Sequence, residues 1–446
     1  MNFQRQLEQD LMAWKNRPGH MPLLLRGARQ VGKTSLVQQF GKKNYLSVCE
    51  VNLELQPELA MCFDDLNPTA ILEKLSAYTS IRIIPGETLL FIDEIQEASN
   101  AIQALRYFKE KLPELDVIGA GSLLEFSLNA ESFRMPVGRV EFLYLKPLSF
   151  AEFLWARGAA PLSAAISKVT LNHPLPEVLH QKALGFIREY LVLGGMPAVL
   201  ANYARLHEFA EAQREQLHLW ATYRGDFGKY GSAATLPLLQ QVFDKLPQLV
   251  AQQTKYSKID PDVRSASLKR AINLLAQAGV LHQVVSTSAA GMPLNALLNE
   301  KKYKLLFLDV GMISARTQLS AEILMRENLH LVHQGALCEQ FVGQELLANQ
   351  LPYVFPEIYY WSREQKNSHA EVDFVISIKD KIVPIEVKSG GSGWLKSMKI
   401  FLEEKNCPMG VRISERQLSL EGNILSIPLY MIAQLPELIK QAESVL

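Results

Sequence analysis

The residues best equipped for chemistry come early in the chain. Gly27-Ala28-Arg29-Gln30-Val31-Gly32-Lys33-Thr34 has the spacing G-x-x-x-x-G-K-[ST], in which a glycine-rich turn aims successive backbone N–H groups at a phosphate. In that reading the loop from Gly27 to Ser35 cradles ATP. Lys33 reaches the β- and γ-phosphates, and the Thr34 hydroxyl ligates Mg²⁺. Further on, Leu89-Leu90-Phe91-Ile92 runs into Asp93-Glu94. An apolar strand ending in two acids suits a metal site at the carboxyl edge of a parallel sheet. Asp93 would hold Mg²⁺ through water, and Glu94 would polarise the attacking water. Two nearby residues have two readings each. Ser122, ending the run from Leu115, is either a polar sensor of the γ-phosphate or a small residue in a turn. Arg139, after Gly138, either stabilises charge on the transferred phosphoryl group, in cis or toward a neighbouring subunit of a homo-oligomer, or makes a surface ion pair.

A second set of acids lies near the C-terminus. A helix over 335–347 carries Glu339 and Glu345, a strand over 371–377 carries Asp373, and a strand over 383–388 carries Glu386 and Lys388. A helix-borne glutamate followed by D-(x)₁₂-E-x-K is the pattern of PD-(D/E)xK nucleases. Carboxylates on neighbouring strands would share a divalent cation, with Glu339, Asp373 and Glu386 as ligands. That metal would activate a water and clamp a scissile phosphate, and Lys388 would position or deprotonate the water. The plainer alternative is a pair of amphipathic strands with solvent-facing charges. A nuclease-like fold would not by itself establish cutting.

The elements that must position these residues follow from periodicity and breakers. A strand from Pro22 to Arg26 enters the phosphate loop, and a helix from Ser35 leaves it, with Leu36, Val37 and Phe40 on one face. Residues 1–16, with Phe3, Leu7, Leu11 and Trp14 on one stripe, and 99–112 read as helices; 45–52 reads as a strand. From about 150 the alternation of strand and helix gives way to helix alone through 245, as in 177–193 and 206–223, with a sharp turn at Gly194-Gly195-Met196-Pro197. That subdomain reads as a lid. Ser265–Ala278 is helical, Gly279 ends it, and strands over 280–286 and 304–308 flank a turn at Ala290–Pro293, the order of a winged helix. This stretch carries eight basic residues (Lys255, Lys258, Arg264, Lys269, Arg270, Lys301, Lys302, Lys304) against four acids (Asp260, Asp262, Glu300, Asp309). Such a patch could contact DNA phosphates, or the fold could only dock other domains.

The fold class is therefore α/β, in four parts: a P-loop core over 1–150, a helical lid over 151–250, a winged helix over 251–318 and a nuclease-like α/β domain over 319–446. The 446 residues hold 46 Lys plus Arg against 46 Asp plus Glu, so no global field draws the chain to nucleic acid or membrane. Four scattered cysteines form no C-x-x-C pair, and nine histidines show no ligand spacing. With no apolar signal core and no run near the length of a span, the chain is expected to be reduced, soluble and cytoplasmic, with no membrane partner.

With these residues in view, the chain resembles prokaryotic AAA-type ATPases that carry a C-terminal domain of unknown function with a restriction-endonuclease-like core. The likeness covers nearly the full length. It rests on Arg26–Thr34, Phe91–Gln96, Gly121–Glu125, Gly138-Arg139, Pro147–Phe153, Gly194–Pro197, Leu308–Met312, Gly335–Glu339, Glu371–Phe374 and Ile385–Lys388. The resemblance implies ATP binding with Lys33, Thr34, Asp93 and Glu94 in their usual roles, and a winged helix between lid and nuclease-like domain. Ala28 stands where relatives often have Pro, and Val372 where the nuclease motif has Pro. Two functions follow: a Mg²⁺-dependent ATPase whose cycle governs a DNA-binding or DNA-cleaving C-terminal half, or an ATP-dependent switch or scaffold whose nuclease-like domain is inactive. A nucleotide kinase fits less well, because Asp93-Glu94 and the large appended domains suit an ATPase.

Overall fold

The computed structural model describes residues 2–122, 124, 138–229, 231–232, 234–317, 334–363, 370–389 and 395–446. Leu123 and Glu125 of the 121–125 motif lie outside them, as does the expected boundary at 318–319. The chain divides into two compact units. The first is Met1–Pro147 with Gln277–Gly279 and Gln350–Phe355, and the second is the remainder.

The first unit is built on a parallel sheet. Its elements are α1 (Leu7–Asn16), β1 (Leu23–Arg26), α2 (Lys33–Asn44), β2 (Ser47–Asn52), α3 (Pro68–Thr79), β3 (Thr88–Asp93), α4 (Ser99–Lys111), β4 (Val117–Ala120) and β5 (Glu141–Tyr144). The strand order is β2-β3-β4-β1-β5, every pair parallel. β3 is buried along its whole length, which is why it reads as an unbroken apolar run rather than an alternation. β4 lies between β1 and β3. The phosphate loop that follows β1, Asp93 at the end of β3 and Ser122 just past β4 therefore all leave the same edge of the sheet.

The second unit begins with helices: α5 (Phe150–Ala156), α6 (Ala160–Ser167), α7 (Glu177–Leu193), α8 (Pro197–Leu206), α9 (Phe209–Asp226) and α10 (Leu236–Leu249). The helix expected from Leu206 starts three residues later, because Leu206 ends α8 and His207 turns left-handed at φ 56°. Short α11 (Tyr256–Ile259) and α12 (Ser265–Gln277) lead to the hairpin β6 (Leu281–Thr287) and β7 (Leu298–Phe307), followed by α13 (Val310–Arg316) and α14 (Gln334–Ala348). Then come β8 (Tyr359–Ser362), β9 (Glu371–Ile378), β10 (Lys381–Val387), α15 (Lys396–Lys405), β11 (Gly410–Ser414), β12 (Ser419–Glu421), β13 (Ile424–Pro428) and α16 (Leu435–Glu443).

The strands form one mixed sheet of eight, in the order β12-β13-β11-β10-β9-β8-β6-β7. The sequence places the hairpin and the later strands in separate domains, 251–318 and 319–446. In the structure β8 runs parallel to β6 through Val285–Tyr359 and Ser286–Tyr360, so the two regions share a sheet. The free edge of a hairpin carries unpaired N–H and C=O groups, and β8 satisfies them.

Three motifs with no reactive chemistry of their own meet in this unit. The buried Asp309 side chain accepts from the backbone N–H of Gly195 at 2.6 Å and caps α13 by accepting from Gly311 at 3.0 Å and Met312 at 3.3 Å. Gln344 donates to Asp309 at 3.2 Å and to the Tyr190 hydroxyl at 2.9 Å, and Tyr190 donates to the Leu148 carbonyl at 2.5 Å. The Leu148 N–H returns to the Gly195 carbonyl at 2.8 Å. Gly194 has φ +70°, and a Cβ there would lie 2.0 Å from Asp309 Oδ1, so only glycine fits. Glu345 accepts from the Phe150 N–H at 2.8 Å and so holds the start of α5, beside the Ser149–Glu152 capping box. Burial pushes Asp309 up to about 6 and Glu345 up to about 8. Among the described residues no single helix is long and apolar enough to cross a membrane; α7 and α8 pass that test only as a pair bent by 113°.

Candidate nucleotide site and C-terminal acidic cluster

The phosphate loop is shaped by backbone conformations that L-residues avoid. Gly27 (φ 147°), Gln30 (φ 64°) and Gly32 (φ 96°) all have positive φ. A Cβ on Gly27 would lie 2.3 Å from the Leu145 carbonyl oxygen. Alternating hands of this kind turn neighbouring N–H groups to one side, the geometry of an anion nest, and α2 starts at Lys33 with its N-terminus facing the same way. Arg5, buried, braces the loop from outside by donating to the Val31 carbonyl at 2.9 Å and the Lys146 carbonyl at 2.6 Å. Nothing in the sequence marks Arg5 for that role. It acts on two carbonyl oxygens, which every residue carries and which leave no mark in the sequence.

Lys33 is buried, and its Nζ donates to the Gly27 and Ala28 carbonyls at 2.9 Å each. Burial lowers it to about 8, against the opposing pull of Glu94 and Asp93. The sign matters for phosphate binding. The ammonium is the form that attracts phosphate, and above about pH 8 the free protein loses it. We expect the apparent Kd for ATP to rise by up to about tenfold per pH unit above 8, until the higher pKa of the bound complex is passed. Fluorescent-nucleotide titrations from pH 7 to 9.5 would check this, and a flat profile would contradict it.

Thr34 donates its hydroxyl to Asp93 Oδ2 at 2.8 Å, and Asn52 Nδ2 approaches the same oxygen at 3.3 Å. Burial raises Asp93 above the usual carboxylate range, and the Thr34 hydrogen bond works against that. Glu94, next along, is left-handed (φ 48°), a conformation that costs a non-glycine residue about 1 kcal/mol. Its carboxylate accepts from Gln96 Nε2 at 2.7 Å and from the buried Ser122 hydroxyl at 3.4 Å. Lys33, Thr34, Asp93, Glu94 and Ser122 are thus gathered at one sheet edge. Asn52 and Gln96 join them unforeseen: the one ends β2 beside Asp93, the other sits two residues past Glu94. Arg139 instead pairs with Glu110 at 3.2 Å, on an exposed face at the end of α4. The Arg29 side chain, of the loop itself, faces Glu54 at 3.3 Å.

The C-terminal acids are arranged differently from the expected metal site. Lys304, fully buried, sends its Nζ to Glu339 at 2.9 Å, Glu371 at 2.6 Å and Asp373 at 3.6 Å. Burial alone would lower Lys304, but Glu339, Asp373 and Glu371 together hold it above the usual lysine value. Asp373 also accepts from the Val387 N–H at 2.8 Å. Lys388 pairs with Glu386 Oε1 at 2.7 Å, on one face of the chain as their spacing requires, while Glu386 Oε2 is buried without a hydrogen-bond partner. Burial, with Asp373 next, pushes Glu386 up to about 7.

Among the described residues no three or more His, Cys, Asp or Glu side chains form a group that could hold a metal ion. Glu339 and Asp373 are drawn to an ammonium, and Glu345 lies at the start of α5. Lys304 therefore leaves the basic patch in which its sequence position places it. Its contribution to that patch is replaced by an internal ion pair, because the half of β7 that carries it, residues 303–307, is buried on both faces.

Residues 19–154 match the family model described as AAA domain. Residues 185–323 and 334–432 each match a model described as a domain of unknown function, DUF8612 and DUF4143 respectively. No protein of curated function matches the chain. Among solved structures, the chain is similar to a Walker-type ATPase of Pyrococcus abyssi, at 17% identity and TM-score 0.44 over 71% of this chain and 96% of that one. It is similar also to the ORC1 protein of Aeropyrum pernix in complex with DNA, at 13% identity and TM-score 0.30 over 71% and 94%. A third is the RuvB Holliday junction branch migration motor of Thermotoga maritima, at 14% identity and TM-score 0.27 over 63% and 90%. At these scores the likenesses say nothing of the chemistry. The matched segment and its phosphate loop identify the first unit as an AAA-type ATPase domain that binds ATP, followed by two segments of unknown function.

Proposed function

We propose that the first unit hydrolyses ATP with Mg²⁺ and that its cycle controls a DNA-binding second unit. The observation that carries the ATPase chemistry is the 2.8 Å hydrogen bond from Thr34 to Asp93, which joins the phosphate loop to the acidic end of β3. A hydroxyl and a carboxylate, the latter steadied by the Asn52 amide N–H, make a pair of hard oxygen donors that suits a small divalent cation. When bound, Mg²⁺ would neutralise charge on the phosphate oxygens.

The remaining work falls to the protein. The N–H groups of Gly27 to Ser35 grip the phosphates, and Lys33 moves from its two carbonyl partners onto them. Asp93 and Thr34 orient the cation shell. Glu94, held by Gln96, takes the proton from the attacking water, and Ser122 reports the γ-phosphate to β4. Arg139 would leave Glu110 to stabilise the transferred group, in cis or across a homo-oligomer contact.

Support for DNA binding comes from Lys255, Lys258, Arg264, Lys269, Arg270 and Lys301, all exposed around α12 and the hairpin. The winged-helix reading of α12 with β6 and β7, and the nuclease-like reading of the sheet that follows, belong to this proposal. The test is ATP turnover with and without duplex DNA, at two salt concentrations. DNA should stimulate the parent, less so at high salt, and a Lys269→Glu/Arg270→Glu double variant should keep its basal rate while losing the stimulation. Equal rates with and without DNA would favour the switch or scaffold.

A further inference from the structure

The feature least expected from sequence is a lysine at the heart of the acidic cluster. Glu339 from α14 and Glu371 and Asp373 from β9 converge on Lys304 Nζ, at 2.9, 2.6 and 3.6 Å. Two of these three, Glu339 and Asp373, are residues that a metal-dependent nuclease of this pattern would spend on its cation. From this geometry we infer that the Lys304 ammonium is the resident cation of the cluster in place of a divalent metal. The cluster is then an ion-pair hub that ties β7 to α14 and β9, not a hydrolytic centre. This inference does not rest on the ATPase reading of the first unit.

The physical argument is one of charge and space. A divalent ion needs several oxygen ligands drawn in to between 2 and 2.6 Å. Here the oxygens of Glu339 and Glu371 already close on a fixed ammonium within hydrogen-bonding distance. Lys304 is 1% exposed and lies on a strand interior, so it has no solvent to swing into. Asp373 is held from the other side by the Val387 N–H. Lys388, the lysine that would act on water, is paired with Glu386 at 2.7 Å. One orphaned oxygen, Glu386 Oε2, remains, and a single free oxygen beside Asp373 falls short of a three-carboxylate set.

The experiment counts Mn²⁺ bound to the full chain by electron paramagnetic resonance, without nucleotide, in an Asp93→Asn background that weakens the site in the first unit. We expect Asp373→Asn to leave the count unchanged, because no cation is held there, and plasmid DNA incubated with Mn²⁺ to stay intact. Lys304→Met should tighten Mn²⁺ binding at the cluster by about tenfold or more, and adding Asp373→Asn should remove that gain. A Mn²⁺ ion bound by the otherwise unaltered cluster and lost on Asp373→Asn would overturn the inference. Removing the buried ammonium could also unfold the protein. In that case the comparison with and without Asp373→Asn, which leaves Lys304 in place, decides alone.

Discussion

Glu94→Gln is expected to bind ATP as the parent does and to hydrolyse it about 10²–10⁴-fold more slowly, the usual contribution of a positioned base. In the proposed site the phosphate contacts would lie on Gly27 to Ser35 and the cation-side groups would be Thr34 and Asp93, so the substitution leaves that binding surface in place. Glutamine keeps the size of the side chain. Its carbonyl oxygen can still accept from Gln96, which reaches Glu94 at 2.7 Å. The left-handed backbone at φ 48° costs either residue the same. What the amide lacks is the capacity to take a proton from water. Single-turnover phosphate release set beside equilibrium nucleotide binding separates the two quantities. A variant as fast as the parent would place the base elsewhere, and Asp93 would be next to examine.

Asp309→Ala should destabilise the second unit by about 2–4 kcal/mol, one of the larger single-site effects the fold allows. It removes the acceptor for the N–H groups of Gly195, Gly311 and Met312 and for the Gln344 amide in a fully buried site. Each donor left unsatisfied costs about 1–3 kcal/mol, including the loss of the cap on α13. Part of this is offset, because burial already pushes the carboxyl up to about 6 and its charge is costly to hold. The shift of the urea midpoint at constant m-value is the measurement. A change below about 0.5 kcal/mol would mean that water enters and satisfies the donors. The Leu308–Met312 and Gly194–Pro197 motifs would then owe their form to something other than this polar knot.

Both sites show how far a chain can be read before it folds. The phosphate loop was legible because its parts are contiguous: a strand, eight residues and a helix N-terminus build the nest without help from elsewhere. Asp93 and Glu94 were legible because a strand buried on both faces has to be an apolar run, and acids at its end stand out. The helices between 150 and 249 were legible from their periodicity, except where His207 turns left-handed and shifts the start of α9. Arg5 and Gln96 were not, since their contacts to Val31 and Glu94 depend on how the loop and strand ends pack.

The sequence by itself located the phosphate loop, the acids that end β3 and the helical run from about 150, because those follow from neighbours a few residues apart. Only the tertiary structure decided which acids meet which base. Lys304 lies 35 residues from Glu339 and farther still from Asp373. It joins them because β6 pairs with β8 and turns the hairpin into part of one sheet. Strand pairing is non-local and a lysine on a covered strand must find countercharge, so the same residue that looks like a phosphate contact in one dimension becomes a buried counter-ion in three.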